Sequence, residues 1–150
     1  MGQENKLGFP LFIASEDIVC LEDPYFNVSR GFGLPEVKLD AAGFDIKTFD
    51  DDEEIVLGPF SLKAIKTPFH TLGSSVFYFP KEGLLFTGDS LFHLGIGRSD
   101  LPHAAPRLMS QSLAKIMALP EDTKFFPGHG RGATLKEEAT SNPYIDCALI

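Results

Sequence analysis

The sequence predicts an α/β (α+β layered) domain, and three observations carry that prediction. From Ile55 onward, short stretches alternate apolar and polar residues with a period of two, broken by Gly- and Pro-containing turns. Between them, Met109, Leu113, Ile116 and Met117 recur at helical spacing. The 150 residues are 43% hydrophobic and 23% charged, the balance of a globular chain. A domain of that size buries about 68–70% of its unfolded surface. No linker, repeat or low-complexity stretch divides residues 1–150, so one domain is expected.

Taken in order, Phe9 to Ala14 reads as a short buried strand. Ser15 followed by Glu16 and Asp17 reads as an N-cap with first-turn carboxylates, opening a helix. Tyr25 to Pro35, with Gly31 and Gly33, reads as a loop or broken helix. Ile55 and Leu57 lead into a turn at Gly58-Pro59. Phe60, Leu62 and Ala64 then alternate with Ser61, Lys63 and Ile65. Ser75 to Phe79 forms a strand, Lys81-Glu82-Gly83 a hairpin turn, and Leu84 to Thr87 the returning partner. The helix around Met109 to Met117 closes at Pro120, and Lys124 to Phe126 adds a brief strand. Thr134 and Glu137 have the spacing of a capping box, for a last helix that ends before Pro143.

Charge and composition exclude several partners. Thirteen basic residues face 21 acidic ones, a net charge of −8 with no basic cluster, so neither nucleic acid nor an anionic membrane surface is expected. The longest apolar runs, such as Leu11 to Ala14, are too short to span a bilayer, and no signal pattern opens the chain. A cytoplasmic location is therefore the default expectation. Cys20 and Cys147 make no disulfide framework and read as buried fillers. Fourteen Phe without Trp suggest aromatic packing in the core rather than on the surface.

Three segments place a metal-type side chain directly after a strand. They are Thr67-Pro68-Phe69-His70-Thr71-Leu72-Gly73-Ser74, Phe86-Thr87-Gly88-Asp89-Ser90 and Phe126-Pro127-Gly128-His129-Gly130. Strand ends are rigid, and the flanking Gly and Pro let the chain turn to aim each side chain. Two imidazoles and a carboxylate, His70, Asp89 and His129, are donors that zinc accepts. Each alone has a plainer reading: a hydrogen-bonded histidine, or a turn aspartate. His93 and His103 read as polar loop residues without a metal role, and Arg98 and Asp100 as partners fixing a loop. Gly95-x-Gly97 lacks the third glycine and preceding strand of a nucleotide cradle. The acidic run Asp50 to Glu54 reads as a solvated turn.

The first segment resembles the Thr-Pro-Gly-His-Thr-Pro-Gly-Ser loop of metallo-β-lactamase-fold hydrolases, in particular the glyoxalase II-like (hydroxyacylglutathione hydrolase-like) branch. Leu85 to Phe92 with Gly97-Arg98-Ser99-Asp100-Leu101-Pro102 resembles that branch's next block. Phe126 to Gly130 and Glu138 to Tyr144 resemble its last, in the same order. The resemblance implies a partial four-layer αβ/βα sandwich with two zinc ions, iron being the other metal it allows. His70 would be a ligand of the first ion, Asp89 the bridging and catalytic carboxylate, and His129 a ligand of the second. The implied reaction is hydrolysis of a small-molecule thioester or ester.

The departure from the family is equally specific. Its first metal motif, His-x-His-x-Asp-His, is absent, the first histidine here being His70. Met1 falls about where the family is already past that motif, so the resemblance implies an N-terminally incomplete domain. Weak or no metal binding by this chain alone is then expected. Exposed sheet edges and apolar side chains would make it a homo-oligomer. The alternative to a hydrolase is a non-catalytic homologue acting as a binding or subunit-interaction module.

Overall fold

Alternating apolar residues from Glu53 onward build one six-stranded sheet in a computed structural model that describes residues 8–31 and 35–148, with side chains through residue 145. The strands are β3 (Glu53–Leu57), β4 (Phe60–Lys66), β5 (Ser75–Phe79), β6 (Leu84–Gly88), β7 (Lys124–Pro127) and β8 (Ala133–Thr134). They lie side by side in sequence order, antiparallel except for the parallel β6–β7 pair. That pair needs a crossover, which α2 (Met109–Met117) supplies. Ahead of the sheet stand β1 (Leu11–Phe12), α1 (Ile18–Glu22) and β2 (Ile46–Lys47); β1 and β2 pair in parallel. The chain closes with α3 (Leu135–Ser141) and α4 (Pro143–Ala148).

The core divides by sheet face. Ile65, Val76, Tyr78, Leu85 and Phe125 point to one side and pack with Leu113 and Ile116 of α2, Leu135 of α3 and Ile145 of α4. On the other side Ile55, Leu62 and Ala64 pack with Ala14 and Phe49, with Phe12, Phe77 and Phe79 partly buried against them. Strand alternation makes the division: Ala64 lies opposite Phe77 in the register, while Ile65 lies opposite Val76.

Most predicted elements form where the patterning places them. Gly83, at φ 64°, makes the β5–β6 turn in a conformation that side-chain-bearing residues avoid. Thr134 accepts from the Glu137 amide while the Glu137 carboxylate accepts from Thr134, a complete capping box. The helix capped at Thr134 ends before Pro143 as read but is not the last, because Pro143 itself opens α4, a proline being tolerated at the first helical position. Three further expectations need correction. The strand over Phe9 to Ala14 contracts to Leu11–Phe12, half-buried, and Phe9 is 70% exposed. Ser15 caps no helix: it enters a short 3-10 turn, Ser15–Asp17, with Ala14 in the cap position. Tertiary partners claim the neighbouring acids instead, Glu16 pairing with Lys66 at 2.9 Å. The aromatic set is not confined to the core, since Phe60, Phe86 and Phe126 are 44–50% exposed.

Residues 32–34 of the expected loop, the amino-terminal stretch 1–7 and the Cys147 side chain lie outside the description. Among the described residues, no helix is long and apolar enough to cross a membrane.

Candidate metal centre

Asp89 follows β6 at once, and Gly88 before it takes a left-handed φ of 51° that turns the chain out of the strand. His70 lies in the loop between β4 and β5; His129 lies two residues beyond the end of β7. Adjacent strands β6 and β7 thus deliver Asp89 and His129 side by side, and the β4 loop brings His70 to the other side of the carboxylate. The two carboxylate oxygens are shared out. Oδ2 stands 3.5 Å from His70 Nε2, and Oδ1 stands 3.6 Å from His129 Nε2.

Both separations are long for a hydrogen bond. They suit two donors on one cation, because bonds of about 2.0–2.2 Å in a tetrahedron leave ligand atoms roughly 3.3–3.5 Å apart. The tautomer supports the same use. His70 Nδ1 is 2.7 Å from the Arg98 carbonyl oxygen, so Nδ1 carries the hydrogen and Nε2 presents its lone pair toward Asp89. His129 is the more open of the two imidazoles, 77% exposed, with its ring edge-on to Phe92. The three side chains fit the role of metal donors.

Glycines make room for this carboxylate. A Cβ at Gly128 would sit 2.5 Å from Asp89 Oδ1, and one at Gly97 would collide with the Asp89 carbonyl. Behind the site, Thr67 and Ser90 hydroxyls bond at 2.9 Å and Thr87 donates to the Leu91 carbonyl at 2.8 Å, all buried. A cavity of about 370 Å³ opens beside it, lined in part by Phe12, Asp17, Phe49, His70 and Asp89.

The loop residues divide in a way that sequence reasoning missed. Arg98 and Asp100 pair through two contacts of 2.7 and 2.8 Å, and the guanidinium holds the Asp100 carboxyl below its ordinary value. His93 is no bystander. Its Nδ1 donates to the fully buried Glu138 carboxylate at 2.7 Å, leaving Nε2 to accept from Arg131 at 2.5 Å. Glu138 also accepts from the Leu94 amide and from Asn142. It thereby pins the left-handed Leu94 (φ 59°) in the loop that carries Gly97 past Asp89. Asp17, read from sequence as a first-turn helix acid, accepts from the Thr71 hydroxyl at 2.6 Å and the Gly73 amide at 2.8 Å, bracing the His70 loop. His103 is nearly buried, with Nε2 2.7 Å from the Glu16 carbonyl. The acidic run is a turn only at Asp51 and Asp52, Asp51 holding the Lys66 amide and the Lys115 ammonium, while Glu53 and Glu54 already belong to β3.

Comparison with known proteins places the chain in a family. The chain is 42% identical over 95 residues to the hydroxyacylglutathione hydrolase of Bartonella quintana, covering 63% of this chain and 37% of that one. It is 46% identical over 83 residues to the same-named protein of Brucella anthropi, 55% and 31% of the two chains. It thus spans about a third of the length of these relatives. An uncharacterised protein of Mycobacterium tuberculosis is 32% identical over 154 aligned positions, 95% of this chain and 67% of that one. Among solved structures, the BLEG-1 B3 metallo-β-lactamase superposes with a TM-score of 0.83 at 33% identity, over 91% of this chain and 65% of the other. The protein TTHA1623, solved in a di-iron-bound form, gives 0.77 at 31% identity, over 92% and 66%. Residues 5–129 match the family described as the metallo-beta-lactamase superfamily. The mixed sheet matches the fold of these neighbours, and the chain belongs to the metallo-β-lactamase superfamily.

Proposed function

We propose that this chain carries the carboxylate-bridged half of a metallohydrolase centre that cleaves a small-molecule thioester or ester. One observation carries the reading: the two oxygens of Asp89 face two different imidazole Nε2 atoms, and the Arg98 carbonyl fixes the His70 tautomer that frees its Nε2. In this reading His70, His129 and the carboxylate of Asp89 would be the residues that hold the metal, zinc being the first choice and iron the second. A metal bound there lowers the pKa of a coordinated water and polarises the scissile carbonyl. The protein's own part is to hold three donors rigidly, through the Arg98 carbonyl, Asp17 and Glu138. The similarity to hydroxyacylglutathione hydrolases supports an acylated thiol as substrate.

A second reading, a non-catalytic binding or subunit-interaction module, is favoured by the absence of His-x-His-x-Asp-His from the sequence. Hydroxyacylglutathione hydrolysis, assayed with zinc and separately with iron(II), distinguishes the two. The hydrolase reading expects metal-dependent turnover that Asp89→Asn abolishes. Metal-independent inertness of both proteins would establish the module.

A further inference from the structure

We propose that Asp17, Cys20 and His103 form a second cation site, for a thiophilic divalent ion such as zinc, that braces the fold beside the cavity of the strand-end donors and shares no ligand with them. None of the three is His70, Asp89 or His129.

The cluster is assembled from distant parts of the chain. Asp17 ends the 3-10 turn and Cys20 lies in α1, three residues apart, a spacing that puts both on one side of the helical segment. His103 comes from the loop between β6 and α2. Backbone bonds hold that loop to the His70 loop, from the Leu72 amide to the His103 carbonyl and from the Ala105 amide to the Phe69 carbonyl, both at 2.9 Å. One donor atom from each of the three residues lies within 4.8 Å of the other two. Imidazole, carboxylate and thiolate are the ligand types of structural zinc sites, and the sulfur selects a soft ion over magnesium or calcium.

The site is prepared on two sides and unfinished on the third. His103 Nε2 stands 3.3 Å from Asp17 Oδ1, and the ring is packed edge-on by Phe26, so its position is set. The half-buried Cys20 thiol has no hydrogen-bond partner among the described residues. Burial, with the Asp17 charge beside it, pushes that thiol up to about 11, so it stays protonated near neutral pH. A bound cation reverses the balance by offering the thiolate a counter-charge. Binding releases the Cys20 proton to solvent, and His103 moves its hydrogen to Nδ1, giving up its bond to the Glu16 carbonyl.

The consequence reaches the catalytic loop. Asp17 already holds Thr71 and Gly73. An ion on its carboxylate therefore ties α1, the His103 loop and the segment following His70 into one unit.

Cobalt(II) tests this directly. The full chain, stripped with chelator and titrated with cobalt(II), should develop a thiolate-to-cobalt charge-transfer absorption in the near ultraviolet. The band should persist in Asp89→Asn and in Cys147→Ser and vanish in Cys20→Ser. Zinc should also slow maleimide alkylation of Cys20, mapped by peptide mass. His103→Ala should weaken that protection by about tenfold or more, since loss of even an outer-shell partner costs 10–100-fold in metal affinity. A cobalt complex without the thiolate band, or a band that survives Cys20→Ser, overturns the proposal. So does an alkylation rate that saturating zinc leaves unchanged.

Discussion

The two faces of the six-stranded sheet are built from adjacent residues yet meet different surroundings. Leu85 and Phe125 are fully buried under the helices; their chain neighbours Phe86 and Phe126 are 44% and 45% exposed on the other face. Both faces are apolar. On the helix side, burial is completed by aliphatic side chains of α2, α3 and α4. On the opposite side, β1 and the residues around Phe49 cover one end, and rings finish the rest by touching one another. Phe79 meets Phe86 edge-on at 5.7 Å, and Phe86 stacks on Phe126 at 5.6 Å. Strand composition reports that a face is apolar, and only the third dimension reports whether it is covered. Asp89 and the loops carrying His70 and His129 leave the strands where these two regimes meet.

The largest effect should come from cutting into the covered face. Phe125→Ala leaves a cavity in a packed core and should cost about 3–5 kcal/mol in chemical denaturation. A cost below about 1 kcal/mol would mean that the helices do not seal this face, and the contrast between faces would collapse.

At the strand ends the comparison becomes one of space rather than burial. Gly128→Ala sets a methyl group against Asp89 Oδ1, 2.5 Å away in the present backbone. Such overpacking should cost about 1–3 kcal/mol. Displacing the carboxylate should reduce any metal-dependent hydrolysis far more than it lowers stability. Equal losses of stability and activity would show that the room left for Asp89 has no functional purpose.

At the sheet edge, where β8 runs into α3, the forces are local. Thr134→Ala removes one half of the capping box and should cost about 1 kcal/mol. The other half is ionic. Bonds from the Thr134 amide and then its hydroxyl hold the Glu137 carboxyl below its ordinary value of 4.5. The folded value lies below the unfolded one, so this contribution is present above pH 4.5 and is lost as pH falls through the folded value. Acid denaturation of Thr134→Ala should be correspondingly less steep over that window than that of the parent chain.

What was legible in the sequence follows the same division between local and distant causes. The Gly83 turn, the α2 stripe, the Thr134–Glu137 box and the position of Asp89 directly after β6 all obey short-range rules, and the structure places each as read, whereas His129 stands two residues beyond β7 and His70 four beyond β4. Ser15 followed every rule of an N-cap and failed, because Lys66 and the Thr71–Gly73 loop compete for the acids beside it. Nothing in the local pattern marks Glu138 for burial, yet it is wholly buried, its carboxylate spent on His93, Leu94 and Asn142. His103 meets Asp17 and Cys20 only because backbone bonds draw the His103 loop across the His70 loop. No periodicity encodes such meetings across eighty residues of chain.

The smallest stability effect should come from the open face, and it is the sharpest test of the comparison. Phe86 and Phe126 stack on each other and both are nearly half exposed, so Phe126→Ser removes mainly one ring–ring contact worth about 0.5–1.5 kcal/mol. That is a fraction of the cost expected at Phe125, one residue away. Exposed apolar rings on one sheet face favour association between molecules. The variant should therefore lose little in denaturation and scatter less light at high protein concentration. If instead it unfolds as readily as Phe125→Ala, the rings are as covered in solution as their buried neighbours. The two faces would then differ in shape but not in energy.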